Sequence, residues 1–393
     1  MNFYDARNIV IENVNPVPPE KISLSESAGR ILAADITANY NIPMFDRSPY
    51  DGYAFRSQDV PGELNIICEI KAGDFINIAL KKGEAAKILT GAAIPEGADA
   101  IIKYEDTEFT AEKVKISKTF RPGENIIKSG EDVKAGEIIA REGEFIDSGT
   151  AGLLASQNIF SVQVYRRPVI GIITTGNEIQ ELQSEILPGK IYNASHYTFM
   201  TALKLAGFEP KFMGICQDDA QKISDSIIES LSTCDSLILT GGVSAGDYDK
   251  TPDALKISGA KILFRDIDLK PGGKCIYAVK DNKLICCLSG NPASALTNYY
   301  AVALPALEKL SGSKNFIPDE IDIILANPFN KRSPMMRIIR GKLIIRDGQI
   351  FINVPSEQGN GVLSTMAGSN LMAVIPAGSD KLPENTRLKG FII

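Results

Sequence analysis

Three glycine-rich runs carry polar residues in patterns that suit chemistry: Thr174-Thr175-Gly176-Asn177-Glu178, Thr240-Gly241-Gly242-Val243-Ser244-Ala245-Gly246-Asp247 and Ser289-Gly290-Asn291-Pro292. Each follows an apolar run that reads as a buried strand. In open α/β sheets ligands bind beyond the carboxyl ends of the strands. Glycine lets the backbone approach a ligand closely, and amides at helix N-termini favour phosphate. Thr175, Gly176, Gly241, Gly242, Ser244, Gly290 and Asn291 are therefore candidate ligand-binding positions. The alternative is three tight strand-to-helix turns with no ligand. The acids Glu178, Asp247 and Asp249 sit on the same turns. Carboxylates beside a phosphate site suit Mg²⁺, which takes one or two protein carboxylates and keeps waters; their other reading is helix N-capping. Lys270, in Asp268-Leu269-Lys270-Pro271-Gly272-Gly273-Lys274, follows an extended run, and the proline after it fixes the backbone. A lysine so placed suits an oxyanion; Lys270 and Lys274 also read as a solvated turn.

Composition narrows the chemistry. The 393 residues include one histidine, His196, so a zinc site built on several histidines is excluded and a Ser-His-Asp triad has one candidate base. His196 falls in a helix-like stretch and reads as structural. The work must then fall to carboxylates, lysines, backbone amides or a bound metal ion. Net charge is -6 with both signs interleaved, which argues against a nucleic-acid footprint. No apolar run approaches the ~20 residues of a membrane span, and the N-terminal stretch is no secretory signal. Six cysteines without a CxxC pair fit a reducing cytoplasm, and Cys286 and Cys287, inside LICCL, read as buried thiols.

The elements that must position these residues are legible from period and punctuation. Residues 2–14 and 24–35 read as helices. Residues 60–145 alternate β-branched runs with Gly and Pro turns, the pattern of an all-β module. Residues 147–160 return to helix, with Asn158 as its left-handed terminator. From Pro168 strands alternate with helices at about 194–207, 218–231 and 292–310, indicating a parallel, doubly wound sheet. From about Pro318 the chain is β again. It includes a hairpin turning at Asp347-Gly348, and its ending suits a small barrel or sandwich. The length allows two to four domains.

Further motifs resemble one family. Ser48-Pro49-Tyr50-Asp51-Gly52-Tyr53-Ala54 resembles the S-x-x-D-G-Y-A signature of the MoeA family, shared with plant molybdenum-insertion proteins and the E domain of gephyrin. Leu89-Thr90-Gly91 with Ile94-Pro95-Glu96-Gly97-Ala98-Asp99-Ala100, then Gly130-Glu131-Asp132, Thr175-Gly176-Asn177-Glu178, Gly241-Gly242-Val243-Ser244 with Asp249, Lys270-Pro271-Gly272 and Gly290-Asn291-Pro292-Ala293-Ser294 follow in the family's order over nearly the whole chain. The resemblance implies a multidomain α/β and β subunit. Its parts are a split helical linker region (1–42 and 136–166), a β module (43–135), a doubly wound molybdopterin-binding α/β domain (167–314) and a C-terminal β barrel (315–393).

The implied activity is insertion of molybdate into adenylylated molybdopterin, with metal-dependent release of AMP, by a cytoplasmic homodimer that makes transient contact with molybdopterin adenylyltransferase and apo-molybdoenzymes. Glu178 and Asp249 then resemble the Mg²⁺ ligands and Lys270 a molybdate-binding lysine. Asp51, Thr90 and Asp132 match positions that reach the cleft from the β module, and Ser294 and Arg340 resemble polar groups near the oxyanion. The chain departs from the family pattern at Asp266, where a basic residue is frequent, at Gly273, with the second lysine one place later at Lys274, and at Ser289 and Asn360. Two other functions share parts of this pattern: the adenylyltransferase, which needs the α/β domain alone, and a non-catalytic pterin-binding or scaffold paralogue.

Overall fold

The computed structural model describes residues 1–74, 77–243 and 249–393. They divide into one unit of Met1–Ala34, Glu142–Ser148 and Ser161–Ile393 and another of Asp35–Arg141 and Gly149–Phe160.

The first unit is built on a six-stranded sheet in the spatial order Glu209–Cys216, Val169–Thr175, Ser236–Thr240, Lys283–Leu288, Cys275–Lys280, Lys261–Arg265. The first four strands are parallel, as their helical crossovers require. The last two are antiparallel, so the sheet is mixed rather than wholly parallel. The reason is local: the segment from 266 to 274 connects them as a loop with no crossover helix, and a strand that turns back without a crossover must pair antiparallel.

Side chains alternate between the two faces, as the two-residue period of a strand demands. Leu237 and Leu239 pack with Ile223, Ile227 and Leu231 of the helix Ala220–Thr233, whereas Ile238 joins Phe199, Leu203 and Tyr299 on the other face. Cys286 and Cys287 divide in the same way, both fully buried, and burial pushes both thiols far up. The helical stretch expected over 292–310 is present, but a π-helical turn, Tyr299–Ala303, separates Pro292–Asn298 from Leu304–Leu310. Pro305 lacks the N–H that a regular α-ladder needs, and the widened turn precedes it.

Five strands close a C-terminal barrel: Ile321–Leu325, Met336–Arg346, Gln349–Asn353, Leu371–Ile375 and Arg387–Ile392. Closure comes from Arg337–Gly341 pairing with Leu371–Ile375. The expected hairpin turn is present, with Asp347 (φ 50°) and Gly348 (φ 73°) both left-handed, the backbone that Asp-Gly supplies readily. The short strand Leu269–Lys270 adds to the barrel in parallel with Met336 and Arg337, which straps the loop bearing Lys270 to the barrel wall.

At the N-terminal end Phe3–Glu12 is helical, capped by the Asn2 side chain. The helix expected over 24–35 is not formed. A 3-10 turn, Leu24–Glu26, ends at Ser27, whose hydroxyl bonds back to the Leu24 carbonyl. Gly29 is left-handed (φ 72°), and Ile31 and Leu32 form bridges to Phe145 and Val164. Local serine-to-backbone bonds and strand partners distant in sequence thus outcompete the helical ladder.

The second unit carries a six-stranded sheet in the order Ala100–Lys103, Gly52–Phe55, Glu84–Ile88, Gly62–Ile70, Lys113–Ile116, Glu108–Phe109. Gly52 has to be glycine: a Cβ there would lie 1.9 Å from the Ile102 carbonyl oxygen. The helix Ser148–Ser156 leads to Asn158 at φ 58°, the expected left-handed terminator.

Candidate functional site

Val169–Thr175, Ser236–Thr240 and Lys283–Leu288 are neighbours in the sheet, so their glycine-bearing ends converge. They form one wall of a cleft of about 860 Å³, whose other walls come from the loop at 266–274, Ser294, and Met335 and Asn360 of the C-terminal region. The backbones at the strand ends touch. A Cβ on Gly241 would lie 2.4 Å from the Thr175 carbonyl oxygen, and one on Gly242 2.5 Å from the Thr251 hydroxyl. Both glycines have positive φ, 97° and 65°. A side chain at either position would strain the backbone and fill the floor of the cleft.

The acids behave differently from one another. Glu178 is exposed, and its side chain folds back over Gly176. The Asp249 side chain is 5% exposed. Its Oδ1 accepts from the Thr251 N–H (3.1 Å); among the described residues the buried Oδ2 has no hydrogen-bond donor, and Arg265 lies 3.6 Å away. Desolvation therefore raises its pKa, only partly offset by the Thr251 amide and Arg265. Among the described residues the buried hydroxyls of Thr240 and Thr251 also have no partner. Unsatisfied buried polar atoms are rare in folded proteins and point to a ligand or ion. Asp218 lines the same cleft and accepts from the Asn177 N–H (3.1 Å). Sequence reasoning misses it, although it stands just past the end of Glu209–Cys216, the remaining parallel strand, where the carboxyl-end rule applies equally. Among the described residues no group of three or more His, Cys, Asp and Glu converges on one point. Mg²⁺ needs only one or two carboxylates, so Glu178 with the unsatisfied Asp249 oxygen fits it.

Lys270 lines the cleft and, among the described residues, has no carboxylate partner; its loop is held from two sides. Its edge pairs with the barrel. Behind it the Gly272 N–H donates to Ser294 Oγ (2.9 Å), and the Gly272 carbonyl accepts from Asn298 Nδ2 (2.6 Å). Asn298 Oδ1 in turn accepts from the Tyr277 hydroxyl (2.5 Å), all within the core. Ser294 is thus committed first to the loop, and Asn298 and Tyr277 are positioning groups that no local pattern announces.

The remaining predicted residues are placed as follows. Thr175, Gly176, Gly241, Gly242, Gly290, Asn291, Ser294, Lys270, Glu178 and Asp249 line the cleft, together with Ser289 and Asn360. Ser244 and Asp247 lie outside the described residues. Arg340 is not among the lining residues. It is 1% exposed, and its guanidinium donates to Thr365 Oγ1 (2.6 and 2.9 Å) and to the carbonyls of Gly359 and Val362 (both 3.1 Å). It thereby holds the loop that carries Asn360. In the second unit Asp51 Oδ1 accepts both the Thr90 N–H (2.7 Å) and the Thr90 hydroxyl (2.8 Å). These bonds, the amide's first, hold the exposed Asp51 carboxyl below its ordinary range. Asp132 is exposed in the same unit, its N–H bonded to the Ile42 carbonyl. His196 stacks on Phe212 with ring centroids 3.6 Å apart and does not line the cleft, in keeping with a structural role.

Known proteins match the chain over nearly its whole length. Residues 1–157 match the MoeA N-terminal region (domain I and II), 171–309 the Probable molybdopterin binding domain and 322–389 the MoeA C-terminal region (domain IV). A molybdopterin molybdenumtransferase of Staphylococcus epidermidis is 36% identical over 380 residues, covering 95% of this chain and 89% of that protein. One of Staphylococcus aureus is 32% identical over 377 residues, covering 94% and 90%. The crystal structure of the molybdopterin biosynthesis MoeA protein from Pyrococcus horikoshii OT3 superimposes with a TM-score of 0.86 at 28% identity, covering all of both chains. Matched from end to end by such relatives, the chain belongs to the MoeA family of molybdopterin molybdenumtransferases.

Proposed function

We propose that the chain acts in molybdenum cofactor biosynthesis, inserting molybdate into adenylylated molybdopterin with release of AMP. The observation that carries this reading is the cleft itself. Three adjacent glycine-bearing strand ends face a lysine on a doubly anchored loop, with a buried carboxylate oxygen beside them; among the described residues the lysine has no ion-pair partner and the oxygen no donor. The glycine turns admit a pyrophosphate against the backbone. Lys270 holds the molybdate substrate as a point charge, its position fixed by the barrel pairing and by Ser294. Glu178 and Asp249 are the residues that would hold Mg²⁺, which when bound supplies Lewis-acid polarisation of the phosphoanhydride. Thr251 orients Asp249 through its amide. Asp51, Thr90 and Asp132 are assigned to the same reaction, on the strength of the family motifs that contain them.

The four-part division of the chain, a homodimer, a cytoplasmic location and transient contacts with the adenylyltransferase and apo-molybdoenzymes belong to the same proposal. Among the described residues no helix is long and apolar enough to cross a membrane. The adenylyltransferase reading is not favoured, because the family match extends across regions on both sides of the α/β domain.

The test mixes purified protein with adenylylated molybdopterin, Mg²⁺ and molybdate, and follows AMP release alongside activation of an apo-molybdoenzyme. Molybdate-dependent release with activation is expected. Tight pterin binding with neither signal would assign the chain to the non-catalytic class. Sedimentation at micromolar concentration tests the dimer.

A further inference from the structure

The loop at 266–274 joins antiparallel strands, and backbone hydrogen bonds close its neck: Asp266 N–H to the Cys275 carbonyl and Ile267 N–H to the Gly273 carbonyl, both 2.9 Å. Gly273 admits no side chain, because a Cβ would lie 2.3 Å from the Leu269 carbonyl oxygen and 2.6 Å from that of Ile267. The next residue, Lys274, carries the second cation of this loop. Its ammonium lies 2.6 Å from the Asp266 carboxylate, and both side chains are about half exposed, 54% and 49%.

Both also line the cleft. Among the described residues the cleft carries Glu178, Asp218, Asp249, Asp266 and Asp268 against Lys270 and Lys274. A site for anionic substrates thus has its second lysine already engaged by a carboxylate. The ion pair is not needed to shape the loop, which is set by the backbone bonds, the barrel pairing of Leu269–Lys270 and the anchoring of Gly272. Ion pairs this exposed are weak, so a tetrahedral dianion competes effectively with one carboxylate for the ammonium.

We propose that Lys274 is a second oxyanion-binding cation of the cleft, masked by Asp266, and that Asp266 thereby sets the affinity and salt sensitivity of oxyanion capture. The proposal rests on the molybdate-binding reading of Lys270.

Equilibrium titration of the full chain with molybdate, and separately tungstate, tests it in the wild type, Asp266→Asn, Lys274→Gln, the double variant and Lys270→Gln, with circular dichroism verifying folding. Asp266→Asn is expected to tighten binding about three- to tenfold, the factor that one unmasked charge roughly 6–12 Å from a dianion gives in water, and to steepen its dependence on ionic strength. Lys274→Gln is expected to weaken binding, and Asp266→Asn to gain clearly less in the Lys274→Gln background than alone; an equal gain would mean direct repulsion by Asp266 and overturn the masking. A purely structural clasp predicts instead that both single substitutions weaken binding, and that result, or no response to Asp266→Asn, overturns the proposal. If Lys270→Gln abolishes binding while Asp266→Asn changes nothing, the Lys270 reading stands and the masking idea falls. If neither wild type nor Asp266→Asn binds either oxyanion, both fall.

Discussion

Replacing Asn298 by alanine removes the link between the core and the loop that carries Lys270. Two buried groups lose their partner: the Gly272 carbonyl, accepting at 2.6 Å, and the Tyr277 hydroxyl, donating at 2.5 Å. Asn298 is 1% exposed and Tyr277 0%, so water does not replace either bond without opening the core. An orphaned buried polar group costs about 1–3 kcal/mol, so two cost roughly 2–6 kcal/mol, with ~4 kcal/mol the central expectation. That is a large share of the ~5–15 kcal/mol by which folded domains are stable. The chain has no tryptophan, so unfolding in urea is followed by circular dichroism. The midpoint is expected to fall clearly, and the concentration of molybdate giving half-maximal AMP release to rise, because Gly272 retains only its Ser294 bond. Tyr277→Phe separates the two effects. It leaves the Gly272 anchor in place, and should lower stability by about 1–2 kcal/mol while sparing the molybdate response. The double variant should lose less than the sum of the singles, because the phenylalanine removes one of the orphans that Asn298→Ala creates. An Asn298→Ala protein with wild-type midpoint and wild-type molybdate response would refute the relay.

Three further outcomes are expected. Asp249→Asn should preserve the fold and abolish Mg²⁺-dependent AMP release; unchanged release would remove Asp249 from the metal site. Gly242→Ala places a Cβ 2.5 Å from the Thr251 hydroxyl on a backbone at φ 65°. It should cost about 1–3 kcal/mol by thermal unfolding and weaken pterin-nucleotide binding, and an unaffected binding isotherm would show that the turn does not face the ligand. Asp235 is bonded by Arg166 (2.6 Å to Nη1, with a second contact from Nη2) and by the Val169 amide (2.8 Å). Burial alone would raise its pKa, but these donors overrule it and hold the carboxyl below its ordinary range. A depressed folded-state pKa gives stability that is present above the unfolded value near 4 and lost as pH falls through the folded value. Asp235→Asn should therefore destabilise the protein at neutral pH by about 1–3 kcal/mol, with the gap to wild type closing below about pH 4; a pH-independent gap would contradict the assignment.

Local chemistry wrote much of this fold into the sequence. The strand ends at Gly176, Gly241 and Gly290, the Asp347-Gly348 hairpin and the left-handed Asn158 were legible, because each depends on neighbouring residues or on a backbone conformation that few residue types adopt. The period-two and helical patterns likewise marked the α/β region and the flanking β segments. The helix expected over 24–35 failed because Ile31 and Leu32 take strand partners from beyond residue 140, which no local propensity registers.

The site divides along the same line. Residue type and spacing by themselves determined which side chains could do chemistry: the glycines of the three turns, Glu178, Asp249 and Lys270. Tertiary structure alone decided their circumstances. It brought three turns spread over more than a hundred residues onto neighbouring strands, set Asp218 beside them and buried one oxygen of Asp249 that has no donor among the described residues. It turned Arg340 inward to hold the Asn360 loop, tied Lys270 to the core through Asn298 and Tyr277, and set Asp266 against Lys274. The physical reason is that desolvation and hydrogen-bond partnership belong to an environment assembled from distant segments. A sequence names the groups that can carry charge, whereas packing settles which of those charges are paired, buried or left free for a ligand.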